Sequence, residues 1–208
     1  MLRVLSLNDL DAAVEIQSTA FYDDPLWLYL VPDDKRRFGL LRKTFRPTLQ
    51  LGILSQQTYG VGDPLKGIAV WSTLDEKSTL STEMRLKAGG GLVRLLLRPS
   101  FLRLLPRALK IFPRFEAMQT RYAPDPHYYL QTISVSPSAQ GQGLASQLIK
   151  PFLAKADAAG VSAYTETMTP SNMSLYEHYG FRTMEEYAVP NTDLKMWAFY
   201  REALTATT

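Results

Sequence analysis

Cysteine is absent from the 208 residues, which excludes disulfides, thiolate metal ligands and any acyl-cysteine intermediate. A cysteine-free chain suits a reducing compartment, and a cytoplasmic protein is expected. Histidine is scarce: His127 and His178 are the only two, too few and too isolated for a metal site or a serine–histidine pair, so both read as structural. Long apolar runs are also missing. No stretch reaches the roughly 18 uncharged apolar residues that a membrane-spanning helix needs, and Met1 to Asp9 lacks the apolar core of a signal peptide; no membrane partner is expected. Internal repeats and low-complexity linkers are lacking. What is present is 46% hydrophobic residues and a formal net charge of +3, enough to bury a core as one domain over residues 1–208 that carries an insertion.

The positive charge is concentrated between Arg94 and Arg114, where arginines and a lysine alternate with leucines and prolines. Leucines at helical spacing ordinarily face a core, so this stretch reads as part of a packed helical insertion over residues 75–122 and not as a lipid anchor. Its basic face would suit an acidic or phosphorylated ligand, although a solvated helix face is the plainer explanation. No nucleic-acid-binding motif accompanies it, and no nucleic-acid partner is expected.

Apolar spacing after Asn8, an N-cap candidate, predicts a first helix over 8–22, broken by Asp23-Asp24-Pro25. A second helical region follows over 33–51, disturbed by Pro47. Residues 57–61 and 67–71 predict a β-hairpin turning through Gly62-Asp63-Pro64. Tyr128 to Val135 predicts a strand, 143–159 a helix stopped by Gly160, and 162–168 a strand reached by that helical crossover, hence parallel to its predecessor. A short helix over 171–179 and a last strand over 195–201 complete an α/β chain: a mixed twisted sheet flanked by helices, with the helical insertion ahead of the strand at 128–135.

The chemistry is concentrated between that strand and its helix, in Ser136-Pro137-Ser138-Ala139-Gln140-Gly141-Gln142-Gly143-Leu144-Ala145-Ser146. Without Cβ atoms at Gly141 and Gly143, backbone can approach a large ligand closely, and the free N–H groups at a helix start favour a phosphate. The plainer reading is that the glycines only close a tight turn. A dinucleotide fingerprint does not fit: the first glycine lies too far past the strand, Ser146 stands where a third glycine belongs, and too little chain remains for a doubly wound sheet.

Taken together, Gln140-x-x-Gly143-x-Ala145 after Ile133-Ser134-Val135, and Asn172-Met173-Ser174-Leu175-Tyr176-Glu177 followed by Gly180-Phe181, resemble the two signatures of the GNAT acetyltransferase superfamily. Residues 128–181 are more narrowly similar to puromycin N-acetyltransferase and its relatives, carrying Val135-Ser136-Pro137 and Glu166-Thr167. The resemblance implies a GNAT-type sheet whose two parallel strands splay, with 128–181 as the acetyl-CoA-binding core. It implies that backbone of Ile133, Ser134 and Val135 pairs with pantetheine, that Gln140, Gly141, Gln142, Gly143, Leu144, Ala145 and Ser146 hold the pyrophosphate, and that Asn172 and Tyr176 meet the pantetheine arm. A small-molecule amine would attack acetyl-CoA directly in a ternary complex, with Tyr176 as general acid to the leaving thiolate. Tyr176 packing on the sheet is the structural alternative.

Glu166 is the candidate base, or a surface or substrate-orienting carboxylate. Asp23 and Asp24 border the acceptor side in such proteins, but helix termination explains them more simply. The insertion would cover that side as a lid, with Trp71, Phe115 and Tyr122 as an aromatic wall. A non-catalytic acyl-CoA-binding module and a protein amine acetyltransferase are the competing readings. A monomer or homodimer is expected, with no metal.

Overall fold

The computed structural model describes residues 1–73, 99–124 and 126–204. Residues 75–98 of the predicted insertion therefore lie outside the described residues. A short strand β1 (Arg3–Val4) leads through a 3-10 turn (Leu7–Asp9) into α1 (Leu10–Ala20), α2 (Pro25–Leu30) and α3 (Asp34–Leu54). Strands β2 (Thr58–Val61) and β3 (Gly67–Thr73) come next, then α4 (Pro99–Leu102) and α5 (Leu105–Tyr122). The second half runs β4 (His127–Val135), α6 (Leu144–Ala159), β5 (Ser162–Thr167), α7 (Asn172–His178), β6 (Arg182–Ala188) and β7 (Lys195–Arg201).

Among the described residues, seven strands form one sheet in the order β1-β2-β3-β4-β5-β7-β6. The β2–β3 pair is antiparallel and β4–β5 parallel, as the hairpin and crossover predict. Period-2 alternation distributes β3 between two cores. Ile68 and Val70 face α1 and α3 together with Leu41 and Leu49, whereas Ala69 and Trp71 face α6 with Phe152 and Leu130. A third core joins Ile111 and Met118 of α5 to Tyr164, Met196 and Ala198, so the described part of the insertion is a packed helix.

Three predicted boundaries are corrected. The capping box at the first helical turn uses Ser6 and Asp9, not Asn8. Asp23-Asp24-Pro25 does end α1, but it also starts α2: the Asp24 carboxylate accepts from Leu26 N at 2.9 Å, and Pro25 occupies the first turn, where a missing N–H costs nothing. Helix α3 runs through Pro47 to Leu54. Strand β6, unpredicted, is an edge strand, with most of its residues exposed.

Helix α6 is tied to β7 by a two-pronged ion pair, Arg201 Nη1 and Nη2 to the Asp157 carboxylate at 2.7 and 2.8 Å. The guanidinium is buried, and the hydrogen bonds it donates hold Asp157 below the usual carboxylate range. Replacing Asp157 with alanine strands that cation, and a loss of roughly 3 kcal/mol of stability is expected in urea unfolding. Because the folded carboxyl is the stronger acid, the pair's contribution is present above the unfolded carboxylate range and fades as pH falls through the folded value.

Candidate active site

Strands β4 and β5 part company inside the sheet. Their pairing runs from His127↔Ser162 to Leu130↔Thr165 and ends there, although β4 continues to Val135 and β5 to Thr167. At the split β4 carries a bulge: Leu130 pairs with Trp71 and Thr132 with Val70, so Gln131 is the extra residue. Beyond it, the edge of β4 that faces β5 has no strand partner among the described residues. A cavity of about 1040 Å³ opens along this gap.

One end of the cavity is the glycine turn. Gly141 and Gly143 have φ of +76° and +72°, in the left-handed region, and a Cβ built at either position meets nothing within 4 Å. Residues with side chains adopt this conformation rarely, and the space beside the backbone is left open. Gly143 is the N-cap of the 16-residue α6, so the amides of Leu144, Ala145 and Ser146 are helix-start donors that point outward with the positive end of the helix dipole. The Ser146 hydroxyl is 2.6 Å from that of Tyr179, which joins the start of α6 to the end of α7.

Of the predicted cofactor-site residues, Ile133, Ser134, Val135, Gln140, Gly141, Gly143, Leu144, Ala145, Ser146, Asn172 and Tyr176 all line the cavity. Gln142 does not; its Nε2 turns back to Ser138 O at 3.4 Å. The Asn172 amide donates to Thr167 Oγ1 at 3.2 Å, which seats α7 on the end of β5. Ser134 Oγ is buried without a partner.

The other end gathers titratable groups. Glu166 is the first β5 residue beyond the split, and Tyr129 of β4 donates to its Oε2 at 2.8 Å. Burial pushes the Glu166 carboxyl up to about 7, opposed by the Tyr129 and Tyr164 hydroxyls. Tyr176, 3% exposed, packs its ring on Phe181 and Phe199 and also lines the cavity. Burial lifts its phenol to about 12; a hydrogen bond with Thr165 opposes this, and the Glu166 and Asp24 charges reinforce it.

In the sequence Asp24 reads as a helix terminator. It is that, but it also lines the cavity, where Thr169 Oγ1 donates to its Oδ2 at 2.7 Å. The α2-capping signature of Asp24 is local and readable; its proximity to Thr169, 145 positions away, is not. Tyr129 and Tyr179 carry no motif that would mark them.

The predicted aromatic wall is corrected. Trp71 is buried on the opposite face of the sheet, stacked on Phe152 at 5.1 Å and donating Nε1–H to Leu148 O. Tyr122 donates to Glu185 at 2.9 Å and does not line the cavity; Phe115 does, with Phe112, Phe21, Trp27 and Phe45. The described part of the basic stretch also looks elsewhere. Arg107 donates to Leu30 O, and Arg114 pairs with Glu185 and lies over Tyr187. No Lys, Arg or His lines the cavity among the described residues, so an acidic acceptor has no matching charge there. His127 is buried, with Nε2 3.1 Å from the Gln119 amide, and no metal-binding group occurs among the described residues. No helix among them is long and apolar enough to cross a membrane.

Comparison with other proteins adds a family model, a relative and shared folds. The sequence model of the acetyltransferase (GNAT) family matches residues 109–181. An uncharacterized N-acetyltransferase of Schizosaccharomyces pombe is 29% identical over 173 residues, covering 78% of this chain and 66% of the relative, just under two thirds of its length. The fold is shared with the crystal structure of a "histone acetyltransferase HPA2 and related acetyltransferase" from Corynebacterium glutamicum, at 22% identity and TM-score 0.64, covering 100% of this chain and 98% of the other. It is shared equally with arylalkylamine N-acetyltransferase 2 of Aedes aegypti, at 16% identity and TM-score 0.64, over 98% and 99% of the two chains. The family model spans residues 109–181 of the chain, and the solved structures share its fold.

Proposed function

We propose that this chain is an acetyl-CoA-dependent N-acetyltransferase that acylates the primary amine of a small molecule. The observation that carries the reading is the split of β4 from β5, with a side-chain-free helix start at one end of the resulting cavity and Tyr176 and Glu166 at the other. Acetyl-CoA fits this arrangement. The unpaired edge of Ile133 to Val135 offers backbone donors and acceptors for an amide-bearing arm. The open space at Gly141 and Gly143, with the amides of Leu144 to Ser146, suits a pyrophosphate without a cationic side chain.

Bound there, acetyl-CoA supplies an activated acetyl group on sulfur. The chain's residues do the rest by holding the acceptor in line and moving two protons. The amine nitrogen forms its bond to the acetyl carbon as the carbon–sulfur bond breaks. Glu166 takes the proton the nitrogen gives up, directly or through one water, and Tyr176 donates its phenol proton to the departing thiolate. Proton return from Glu166 through solvent restores both side chains. We read residues 1–208 as one transferase domain with α5 as part of a cover over the acceptor side, since Phe112 and Phe115 line the cavity. The similarity to puromycin N-acetyltransferase places aminonucleosides among the first acceptors to try.

The direct test is thiol release from acetyl-CoA across a panel of amines. Binding of acetyl-CoA without turnover on any amine would instead favour a cofactor-sensing module, and acetylation only of peptides would favour a protein acetyltransferase.

The Glu166 carboxyl, raised to about 7, sets a pH dependence. As a base it must be ionised, so kcat/KM is expected to fall as pH drops below about 7 and to level off above it; Glu166→Gln lowers the plateau and abolishes that limb. Stability moves the other way. A folded pKa above the unfolded value means that the acid favours folding below the unfolded carboxylate range and loses that contribution as pH rises through about 7. The Gln variant should therefore gain Tm over wild type at pH 8 and gain less at pH 5.

A further inference from the structure

The acceptor end of the cavity carries a chemical signature of its own, and an acceptor assigned from it rests on reading the cavity as an acetyl-transfer site. The charged side chains that line it among the described residues are all acidic. Asp23, Asp24 and Glu166 line it without a basic side chain among the described residues. Gln17 of α1, 4% exposed, lines it too, and its Oε1 has no donor. A buried acceptor left without a donor is unfavourable, and a ligand that brings N–H groups and positive charge relieves that cost. Burial raises the Asp24 pKa, opposed by the Thr169 hydroxyl and the Leu26 amide, which both donate to the carboxylate. Its field and that of Glu166 both reach Tyr176, so the two carboxylates flank the phenol where the reaction would occur.

The apolar lining is aromatic. Phe45 meets Phe21 edge-on at 5.4 Å and Trp27 at 5.2 Å, which fixes a rigid wall where α1, α2 and α3 converge. Helix α5 supplies Phe112 and Phe115, with centroids 6.4 Å apart, and Phe112 is half exposed, so this part of the cavity is open to solvent. Rings held by such contacts favour a flat ligand body and exclude branched or heavily hydrated ones.

We propose that the acceptor is a singly charged primary amine on a flat aromatic body, its ammonium group drawn in by Asp24 and its ring seated among the phenylalanines of α1, α3 and α5. The ammonium sheds its extra proton to solvent before attack, and the resulting neutral nitrogen then bonds to the acetyl carbon as the thiolate leaves. Asp24 is thus a substrate-binding residue as well as a helix cap.

The test compares acceptors that differ in one property: 2-phenylethylamine and tryptamine as the expected class, butylamine without the ring, spermidine with extra cations, and phenylalanine with an added carboxylate. With acetyl-CoA saturating, kcat/KM for the two arylalkylamines should exceed that for each of the others by at least about tenfold. Asp24→Asn should raise the KM for 2-phenylethylamine about tenfold with the KM for acetyl-CoA unchanged. Phe115→Ala, which leaves the α2 cap intact, should weaken 2-phenylethylamine and leave butylamine unaffected. Spermidine or phenylalanine turning over as well as the arylalkylamines, no arylalkylamine turnover, or both variants leaving the ranking intact would each overturn the proposal. Calorimetry with acetyl-CoA separates the two levels. If acetyl-CoA binds and other amines react, the acceptor assignment alone is wrong; if it does not bind, the transferase reading falls and takes this one with it.

Discussion

Replacing Gly143 with valine should raise the dissociation constant for acetyl-CoA by about 100-fold or more, equivalent to some 2.7 kcal/mol of binding energy. Two effects add. The backbone at Gly143 sits at φ +72°, which a β-branched residue adopts only under strain of order 1–3 kcal/mol, so the turn shifts and takes the helix-start amides out of line. The new side chain also enters open space: a Cβ at this position meets no protein atom within 4 Å, and in the proposed complex that space belongs to the pyrophosphate. Gly143→Ala isolates part of this, with less strain and a smaller loss of affinity. Gly39 is a suitable control, because its Cβ position is equally open but lies on the exposed face of α3, remote from the turn. Gly39→Ala should leave binding unchanged and add up to about 1 kcal/mol of stability. Calorimetric titration with acetyl-CoA reads all three, and an affinity within threefold of wild type for the valine variant would remove the glycine turn from the ligand site.

The glycine turn, the crossover and the hairpin are legible in the sequence because each is local: glycine spacing, a period that changes from 3.6 to 2, and breakers at element ends. What stays hidden is either cooperative or cryptic. Strand β6 lies at the sheet edge with both faces wet, so Arg182, Glu185 and Glu186 interrupt any apolar alternation. The bulge at Gln131 defeats the period of β4. Leu130 and Ile133, an odd number of positions apart, point into the same core, and counting by twos would put Tyr129 with Ile133 instead of on the face that reaches Glu166. Pro25 reads as a breaker and as a helix start with equal force, and only the capping geometry of Asp24 selects between them. Trp71 suggests a wall because tryptophan is large and stands just before the insertion read as a lid; the alternation of β3 turns it to the α6 side of the sheet. The pairing of Asp24 with Thr169, and of Tyr129 with Glu166, joins residues far apart in the chain, and no periodicity or spacing encodes such a meeting.

Tyr176→Phe separates chemistry from architecture most sharply. The ring is fixed by Phe181 and Phe199 at centroid distances of 6.0 and 5.2 Å, and phenylalanine keeps those contacts. Only the hydroxyl is lost, with its Thr165 hydrogen bond, at a cost of about 1 kcal/mol in stability. If that hydroxyl protonates the departing thiolate, kcat should fall by about 10² to 10⁴, while the dissociation constant for acetyl-CoA stays within threefold of wild type. The raised pKa sharpens the expectation. Burial holds the phenol at about 12, so the acid remains protonated across any practical assay range, and wild type should show no basic limb attributable to Tyr176 between pH 7 and about 10. The variant's rate should accordingly be depressed by a constant factor over that range, and the acidic limb near 7 that belongs to Glu166 should persist in it. A kcat unchanged by the substitution, measured beside unchanged cofactor affinity, would leave Tyr176 as a packing residue and send the search for the acid to Tyr129 and Tyr179, the other phenols that line the cavity.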